Sequence, residues 1–161
     1  MLFLYDAAMG AESEAMSGAL DSVRFPVERS KLMELARTFK DPDPLWHDPE
    51  AAAEAGFDSV PVPPTATVLA DHWRERGATF HAQAAGLDLP RVLHGEVSWE
   101  FLRPVQLGDE LTAVSSLAGD ETRQGKRGGE MRLVTVETSY TDAAGELVAR
   151  RRDTLIETGP R

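Results

Sequence analysis

The stretch RVLHGEVSWEFLR, residues 91–103, opens the half of the chain in which apolar and polar side chains alternate with a period of two. This alternation is typical of a β-strand with one buried face. It recurs in residues 110–118, 131–141 and 146–157, which predicts three more strands. The segment Asp142-Ala143-Ala144-Gly145 is typical of a tight hairpin link. The second half of the chain therefore predicts an antiparallel sheet.

The first half of the chain has a different pattern. Residues 23–27 alternate around Pro26, which favours a short edge strand because proline is tolerated there. Apolar residues recur at helical spacing in residues 29–39, which predicts an amphipathic helix. Asp48 as N-cap and Pro49 at the first helical position predict a second, short helix. A longer helix is predicted from Thr65 to about residue 83.

Helices followed by a run of antiparallel strands predict the α+β class and exclude an alternating βαβ order. A long helix lying on a curled antiparallel sheet is the economical way to bury both apolar faces. Residues 1–19 carry small and acidic side chains without a sustained period, so we interpret them as an N-terminal tail. Residues 20–161 are then a single domain.

Composition narrows the classes of function. The 161 residues have a formal net charge of −10, which argues against nucleic acid as a partner. The chain has no cysteine, which excludes disulfides, a thiol nucleophile and zinc–thiolate sites. No apolar run approaches the ~20 residues that span a bilayer. We therefore expect a cytoplasmic location, no membrane partner and no metal site.

Three stretches together resemble the MaoC-like hydratases and dehydratases, and specifically the N-terminal type of module in that family. They are Phe39-Lys40-Asp41-Pro42-Asp43-Pro44-Leu45-Trp46-His47-Asp48, Val62-Pro63-Pro64-Thr65, and Leu93-His94-Gly95-Glu96 followed by residues 101–109. The first is close to the family's Asp-x-Asn-Pro-Leu-His motif. The resemblance extends from about Val23 to Thr158.

The resemblance implies a hot-dog fold, with a long central helix wrapped by the sheet. It also implies reversible addition of water to 2-enoyl thioesters, giving (3R)-hydroxyacyl products. Coenzyme A or phosphopantetheine enters as part of the substrate, and no further cofactor is expected. In this fold the cleft lies between two hot-dog units, which implies a homodimer or a heterodimer with a related subunit.

The resemblance also assigns roles to individual residues. Hydration needs an acid and a base around one water, and hydrogen-bond donors on the thioester carbonyl. Asp41 takes the acid role and His47 is the nearest candidate base. The predicted substrate contacts are His94, Gly95, Thr65, Ala66 and Trp46.

Two departures from the family pattern keep other functions open. The family's histidine lies five residues after the aspartate, where this chain has Trp46. The central helix of active members begins with His-Gly, whereas this chain has Pro63-Pro64, and proline has no N–H to donate. The chain is therefore alternatively a non-catalytic substrate-binding subunit that pairs with a catalytic hot-dog subunit. Hot-dog thioester hydrolysis is a further alternative, with Asp71 or Glu75 as the helix carboxylate.

The remaining polar residues have structural interpretations. Asp41 and Asp43, which flank Pro42, are typical turn formers because Asp bonds local backbone groups. His72 and His81 have no metal-ligand spacing, so we expect them on solvated faces. Arg151 points opposite to its neighbours Arg150 and Arg152 in a strand, and we interpret the three as a charged sheet edge.

Overall fold

The structure is a computed structural model and describes residues 18–74, 80–125 and 129–159. Along the chain the described elements are β1 (Ala19–Pro26), α1 (Arg29–Phe39), a 3₁₀-helix (Pro44–Trp46), α2 (Pro49–Glu54), the central 3₁₀-helix (Pro64–Trp73), α3 (Phe80–Ala84), a 3₁₀-helix (Leu89–Arg91), β2 (Val92–Phe101), β3 (Glu110–Gln124), β4 (Glu130–Thr141) and β5 (Leu147–Thr158). Within these ranges, no helix is long and apolar enough to cross a membrane.

The five strands form one antiparallel sheet in the order β1-β3-β4-β5-β2. The two edges of the sheet are therefore β1 and β2. The hairpin between β4 and β5 turns at Asp142, whose side chain accepts hydrogen bonds from the N–H groups of Ala144 and Glu146. A β-bulge interrupts the pairing of β2 with β5 between His94 and Glu96.

The strands predicted from alternation are confirmed, with changes at their ends. The first strand begins at Ala19 and is an edge strand, as Pro26 predicts. Its start overlaps the last residue of the predicted tail, and residues 1–17 of that tail lie outside the described residues. The third strand continues to Gln124, beyond residue 118, because its polar second part stays paired with β4.

The central helix takes a different form from the single helix predicted over residues 65–83. It is a 3₁₀-helix from Pro64 to Trp73, and a short α-helix begins at Phe80. Residues 75–79 lie outside the described residues. Pro63 and Pro64 open the segment, and the first turn closes through a tight bond from Ala66 N–H to Pro63 O at 2.8 Å. The 3₁₀ geometry follows from such i to i+3 bonding.

The helices cover one face of the sheet and bury the core against it. The first cluster centres on Tyr140, which is fully buried and meets Phe25 edge to face at 6.3 Å. It also includes Leu32 of α1 and Ala52 of α2, so both helices contribute to this cluster. A second, smaller cluster contains Ala82 of α3 packed with strand residues of β4. The core therefore lies between a helical layer and the inner face of the sheet.

The Arg103–Asp109 part of the motif is structural. Arg103 donates to both carboxylate oxygens of Asp109, at 2.8 and 3.1 Å, and to Asp142 at 3.3 Å. The pKa of Arg103 is raised by its hydrogen bond to Asp109, with burial opposing the change. These bonds hold the β2–β3 turn against the β4–β5 hairpin.

The interpretation of the arginine run as a sheet edge is wrong. The run lies on β5, which is flanked by β4 and β2 and is therefore an interior strand. Arg150 and Arg152 are exposed and bond Glu100 and Glu137 on the outer face. Arg151 points to the inner face, as strand alternation requires, and its side chain is 11% exposed.

Candidate active site

Asp41 lies directly after α1, on a backbone that the helix end fixes. Lys40 adopts the left-handed conformation, with φ 54° and ψ 34°. Asp41 N–H then donates to Ala36 O at 3.0 Å, which closes the last turn of the helix. This bonding is the usual way in which a left-handed residue terminates a helix. The start of the hydratase-like motif is therefore held rigidly against α1.

Both oxygens of the Asp41 carboxylate are engaged. Oδ1 accepts from Asp43 N–H at 3.0 Å, and Oδ2 accepts from Trp46 Nε1–H at 2.9 Å. The indole N–H is a donor only, so it cannot take up a proton as a base. The residue that stands in place of the family's histidine therefore reaches the carboxylate but cannot share the acid–base work.

His47 is close to Asp41 without bonding it. The two residues line one shallow surface depression together with Lys40 and Pro42. Within the described part of the chain, the His47 side chain forms no hydrogen bond; its carbonyl oxygen accepts from Arg29 at 3.5 Å. The predicted acid and base therefore share a surface without forming a hydrogen-bonded pair.

The neighbouring aspartates act as turn and cap residues. Asp43 accepts from Leu45 N–H and Asp48 accepts from Glu50 N–H, each at 2.9 Å. Asp48 is the N-cap of α2 and Pro49 is its first residue, which confirms the predicted start of that helix. The structural interpretation of Asp43 is confirmed, and Asp41 forms the same kind of turn while also binding the indole.

The predicted substrate contacts Thr65 and Ala66 lie in the first turn of the central 3₁₀-helix. Thr65 is exposed, whereas Ala66 is 4% exposed and its N–H is bonded to Pro63 O. Ala66 also lines a small apolar cavity of about 70 Å³, whose other walls include Phe25, Leu32 and Val105. This arrangement leaves one N–H fewer for a substrate carbonyl than the sequence predicts.

His94 belongs to a second polar site on the inner face of the sheet. Its Nε2 lies 3.0 Å from Asp153 Oδ1, and Asp153 is 3% exposed. Arg151 donates to the same Asp153 oxygen at 2.7 Å and to Asp71 Oδ2 at 3.1 Å. The guanidinium of Arg151 also lies over the ring of Trp99, 5.4 Å from its centroid. The predicted contact His94 is therefore attached to a buried ionic network.

The network continues toward the opposite edge of the sheet. Arg74, 8% exposed, donates to Asp71 and to Asp21 of β1, and its Nη2 donates to Ser115 Oγ at 3.1 Å. The result is a chain of alternating charges that we call the ion-pair chain: Asp21, Arg74, Asp71, Arg151, Asp153 and then His94. It joins β1, the central 3₁₀-helix, β5 and β2.

The environment of the ion-pair chain shifts several pKa values. Burial opposes ionisation of Asp21, but hydrogen bonds with His81 and Arg74 and the charge of Arg74 outweigh it, lowering the pKa of Asp21 to about 2. Burial also opposes the charge on Arg151, yet Asp153 and Asp71 raise its pKa. Burial raises the pKa of the neighbouring Tyr140 to about 12. All of these groups keep their ordinary charge states at neutral pH.

Most members of this network carry no signal in the sequence that predicts their contacts. His81 was expected on a solvated face, but it is 8% exposed and its Nε2 lies 3.8 Å from Asp21 Oδ1, which corrects that expectation. Asp71 is an ion-pair residue, and Glu75 lies outside the described residues. One signal was available in the sequence. Arg151 and Asp153 occupy alternate positions of β5 with the buried Ala149, so their side chains point to the same inner face of the sheet. Gly95 lies in the β-bulge beside His94, where a Cβ would meet Ile156 Cδ1 at 2.7 Å.

Comparisons with known proteins were made at the levels of family, sequence and structure. A family model described as the FAS1-like dehydratase domain region matches residues 15–151. A UPF0336 protein of Saccharopolyspora erythraea is 36% identical over 135 residues, covering 84% of this chain and 83% of the relative. A UPF0336 protein of Streptomyces avermitilis is 36% identical over 132 residues, covering 82% of this chain and 84% of the relative.

Solved structures with the same architecture include two complexes from Mycobacterium tuberculosis. One is the C-terminally truncated HadBC (3R-hydroxyacyl-ACP dehydratase) complex, with TM-score 0.65 and 27% identity over 83% of this chain and 90% of the other. The other is the ChsH1–ChsH2 complex, with TM-score 0.73 and 17% identity over 95% of this chain and 94% of the other. These likenesses confirm the α+β hot-dog fold. A further structure, described as a MaoC-like dehydratase, has TM-score 0.67 and 28% identity over 89% of this chain and 43% of the other, which confirms the resemblance to MaoC-like dehydratases.

Proposed function

Since the chain belongs to the family of FAS1-like dehydratase domain regions, we propose that it is the substrate-binding subunit of a heterodimeric (3R)-hydroxyacyl-thioester dehydratase. In this proposal a related hot-dog subunit supplies the acid and the base. The observation that carries it is the hydrogen bond from Trp46 Nε1–H to Asp41 Oδ2 at 2.9 Å. The reaction of the heterodimer is the reversible loss of water from a 3-hydroxyacyl thioester.

The bond to Trp46 matters because of what dehydration requires. A base must remove a proton next to the thioester carbonyl, and an acid must protonate the leaving hydroxyl. Asp41 has one oxygen bonded to a backbone N–H and the other to an indole that cannot accept a proton. Each oxygen therefore already accepts one hydrogen bond from this chain's own turn, and the indole cannot serve as the base that the family's histidine provides.

The start of the central helix supports the same assignment. Developing negative charge on the thioester oxygen is stabilised by N–H donors aimed at it. Here Pro63 and Pro64 carry no N–H, and the N–H of Ala66 is bonded to Pro63 O. In this first turn the N–H of Thr65 is the donor that remains for a substrate carbonyl, so a partner with intact N–H donors would stabilise the enolate-like state better.

The free edge of the sheet offers a surface for the partner. The edge strand β2 has one paired neighbour, β5, among the described strands. Leu93 and Val97 of β2 are 58% and 43% exposed, and Leu102 just beyond it is 53% exposed. An unpaired edge with exposed apolar side chains is a template for pairing with another chain.

The proposed substrate is an acyl group on coenzyme A or on the phosphopantetheine of a carrier protein, with no other cofactor. Fatty acid metabolism and a tailoring step in secondary metabolism both use such thioesters. Hydrolysis by Asp71 has little support, because both of its carboxylate oxygens are bonded to arginines, Arg74 and Arg151.

A second candidate is that this chain performs hydration by itself as a homodimer. The observation in its favour is that Asp41 and His47 line the same surface depression. In that case His47 would replace the family's histidine from a position one residue later, and a side-chain rotation would bring it to the substrate.

The test is hydration of crotonyl-CoA and of a longer 2-enoyl-CoA, followed at the absorbance of the conjugated thioester. The purified chain is measured alone and after co-purification with a hot-dog subunit of the same organism that carries the intact Asp-x-Asn-Pro-x-His motif. We expect turnover only in the mixture. We also expect Asp41→Asn and His47→Ala in this chain to change kcat by less than about twofold, because neither contacts the reacting atoms.

Substitution of the partner's motif aspartate is the matched control and should abolish turnover. Turnover by this chain alone that both Asp41→Asn and His47→Ala abolish would overturn the proposal and establish the homodimeric hydratase instead. If Trp46→Phe in this chain, which removes the indole N–H, leaves turnover by the mixture unchanged, the Trp46–Asp41 bond has no catalytic part in the complex.

A further inference from the structure

A cleft of about 360 Å³ opens beside His94, between α3 and the strands β2 and β5. Its polar lining consists of His94, Asp153, Arg151, Asp71 and His81. Its apolar lining consists of Leu89, Val92, Leu155 and Ala82. We call this the His94 cleft. Binding sites for small ligands combine such an apolar wall with a few fixed polar groups.

The imidazole of His94 is oriented by its carboxylate partner. Asp153 is buried and also accepts from Arg151, so its Oδ1 acts as the acceptor toward His94 Nε2 at 3.0 Å. Nε2 then carries the proton, and when the ring is neutral Nδ1 is an acceptor. Among the described residues, none donates a hydrogen bond to Nδ1. Because the side chain is 53% exposed, the acceptor is accessible to a ligand.

The charges on the cleft wall decide which ligand groups fit. Among the Asp and Arg side chains that line the cleft, Asp71 and Asp153 carry two negative charges and Arg151 carries one positive charge. The guanidinium of Arg151 is already shared by the two carboxylates. A phosphate or carboxylate would meet this excess of negative charge, so the cleft favours an uncharged group.

We propose that the His94 cleft binds a neutral hydrogen-bond donor carried on an aliphatic chain, with His94 Nδ1 as the acceptor. This inference rests on the proposed function and names the part of the thioester that the chain holds. Two parts of a 3-hydroxyacyl thioester have this chemistry. They are the hydroxyl of the acyl group and the amide N–H groups of the pantetheine arm.

The size of the cleft agrees with a segment of this kind. A volume of about 360 Å³ lies within the range of sites that bind small ligands, roughly 300–1,000 Å³. A donor on His94 leaves the rest of such a segment against Leu89, Val92 and Leu155. The cleft therefore has room for a stretch of acyl chain or pantetheine arm.

The experiment compares three probes by calorimetry and by imidazole ¹H–¹⁵N spectra of the full chain. The probes are S-methyl pantetheine, octanoyl pantetheine and 3-hydroxyoctanoyl pantetheine. His94→Phe keeps an aromatic ring and removes the acceptor, and His94→Gln keeps an acceptor oxygen. His72→Phe is the matched control, because His72 is an exposed histidine outside this cleft.

We expect His94→Phe to weaken binding about fivefold or more, as the loss of one net hydrogen bond implies, and His94→Gln to restore part of it. Loss confined to 3-hydroxyoctanoyl pantetheine identifies the hydroxyl as the donor. Equal loss for all three probes identifies the pantetheine amides. The ¹⁵N shift of His94 Nδ1 should change on binding in the native chain.

Two negative outcomes are distinguishable. If the native chain binds the probes and His94→Phe binds them equally well, the inference about the cleft is wrong and the proposed function stands. If the native chain binds none of the three probes, either alone or in complex with the partner subunit, the substrate-binding function itself fails, and the inference fails with it.

Discussion

At the scale of single residues, Lys40 holds a conformation that its side chain disfavours. It is the only described residue other than glycine with a positive φ, 54°. A residue with a Cβ loses roughly 1 kcal/mol in the left-handed region, whereas glycine adopts it freely. The conformation of Lys40 nevertheless ends α1 and places Asp41 directly after the helix.

We therefore expect Lys40→Gly to raise the free energy of unfolding by up to about 1 kcal/mol. Urea denaturation of the native chain and the variant measures the difference. Arg37→Gly, in the last turn of the same helix, is the control and should lower stability by about 1 kcal/mol. A decrease for Lys40→Gly would mean that the lysine side chain stabilises this turn.

Gly95 is required by a close approach between strands. An added Cβ would lie 2.7 Å from Ile156 Cδ1 and 3.1 Å from Thr154 O, at the bulge that positions His94. Gly119 lies at a second register shift, on β3, where a Cβ would meet its nearest neighbour, Thr135 Cβ, at an ordinary 3.6 Å. The two glycines thus differ mainly in the space around them.

We expect Gly95→Ala to destabilise the chain by about 1–2 kcal/mol more than Gly119→Ala, because of overpacking against β5. Thermal unfolding of the two variants makes the comparison. Adding Ile156→Val to Gly95→Ala removes the closest atom and should recover part of the loss. Equal melting temperatures for both alanine variants would show that Ile156 moves aside without cost.

At the scale of elements, the ion-pair chain links the helical layer to three strands. Arg151 is its central cation and bonds Asp71 of the central 3₁₀-helix and Asp153 of β5. Its neighbour Arg150 has the same side chain but lies on the outer face, bonded to Glu100 at 3.2 Å and exposed to solvent. Removal of one partner of a buried pair costs far more than loss of a surface pair.

We expect Arg151→Gln to lower the free energy of unfolding by about 3 kcal/mol or more, since the buried Asp153 loses its cation and Asp71 keeps only Arg74. Arg150→Gln should change it by less than about 0.5 kcal/mol. Chemical denaturation with both variants under the same conditions provides the measurement. If both variants changed the free energy of unfolding by a similar, small amount, water would have to enter and solvate Asp71 and Asp153.

The elements differ in how far the sequence predicts them. Strands were predictable because alternation is a local property, and the bounds of β2, β4 and β5 differ by one or two residues from the prediction. The ion-pair chain was not predictable, because Asp71 and Arg151 are 80 residues apart and meet only when the helix packs on the sheet. The 3₁₀ geometry of the central helix depends on its first turn, where prolines and tertiary contacts override a helical period.

The candidate site was predictable only in part, because a sequence motif locates residues but does not give the contacts between them. The motif located Asp41 and drew attention to Trp46, since a histidine was expected there. That the indole reaches back to the carboxylate depends on the turn geometry set by Lys40 and Asp43. The spacing of residues in the sequence does not determine that turn geometry.

At the scale of the whole molecule, the ion-pair chain makes stability depend on acid pH. The pKa of Asp21 is about 2 in the folded chain, against 3.8 for an unperturbed Asp. Because the folded state binds its proton less readily, Asp21 contributes its full stabilisation above about pH 4. That contribution is lost as the pH falls from about 4 through 2, and it amounts to about 2 kcal/mol.

We therefore expect the free energy of unfolding to fall more steeply between pH 5 and 2 in the native chain than in Asp21→Asn. Urea denaturation at low protein concentration across this range gives both curves. The chain carries many other carboxylates, so the difference between the curves is the informative quantity. Parallel curves would contradict a lowered pKa for Asp21.

The assembly of the molecule depends on the β2 edge. Leu93 and Val97 are exposed on this edge strand, and Leu117 is 48% exposed on β3, an interior strand. If the edge pairs with a related hot-dog subunit, lysine at Leu93 or Val97 places a charge in the interface.

We expect either substitution to weaken association at least about tenfold, because a desolvated charge costs more than 1.4 kcal/mol. Leu117→Lys, an equally exposed site away from the edge, should leave association unchanged in sedimentation velocity experiments. Equal weakening by all three variants would place the interface elsewhere, and the partner would then not extend the sheet.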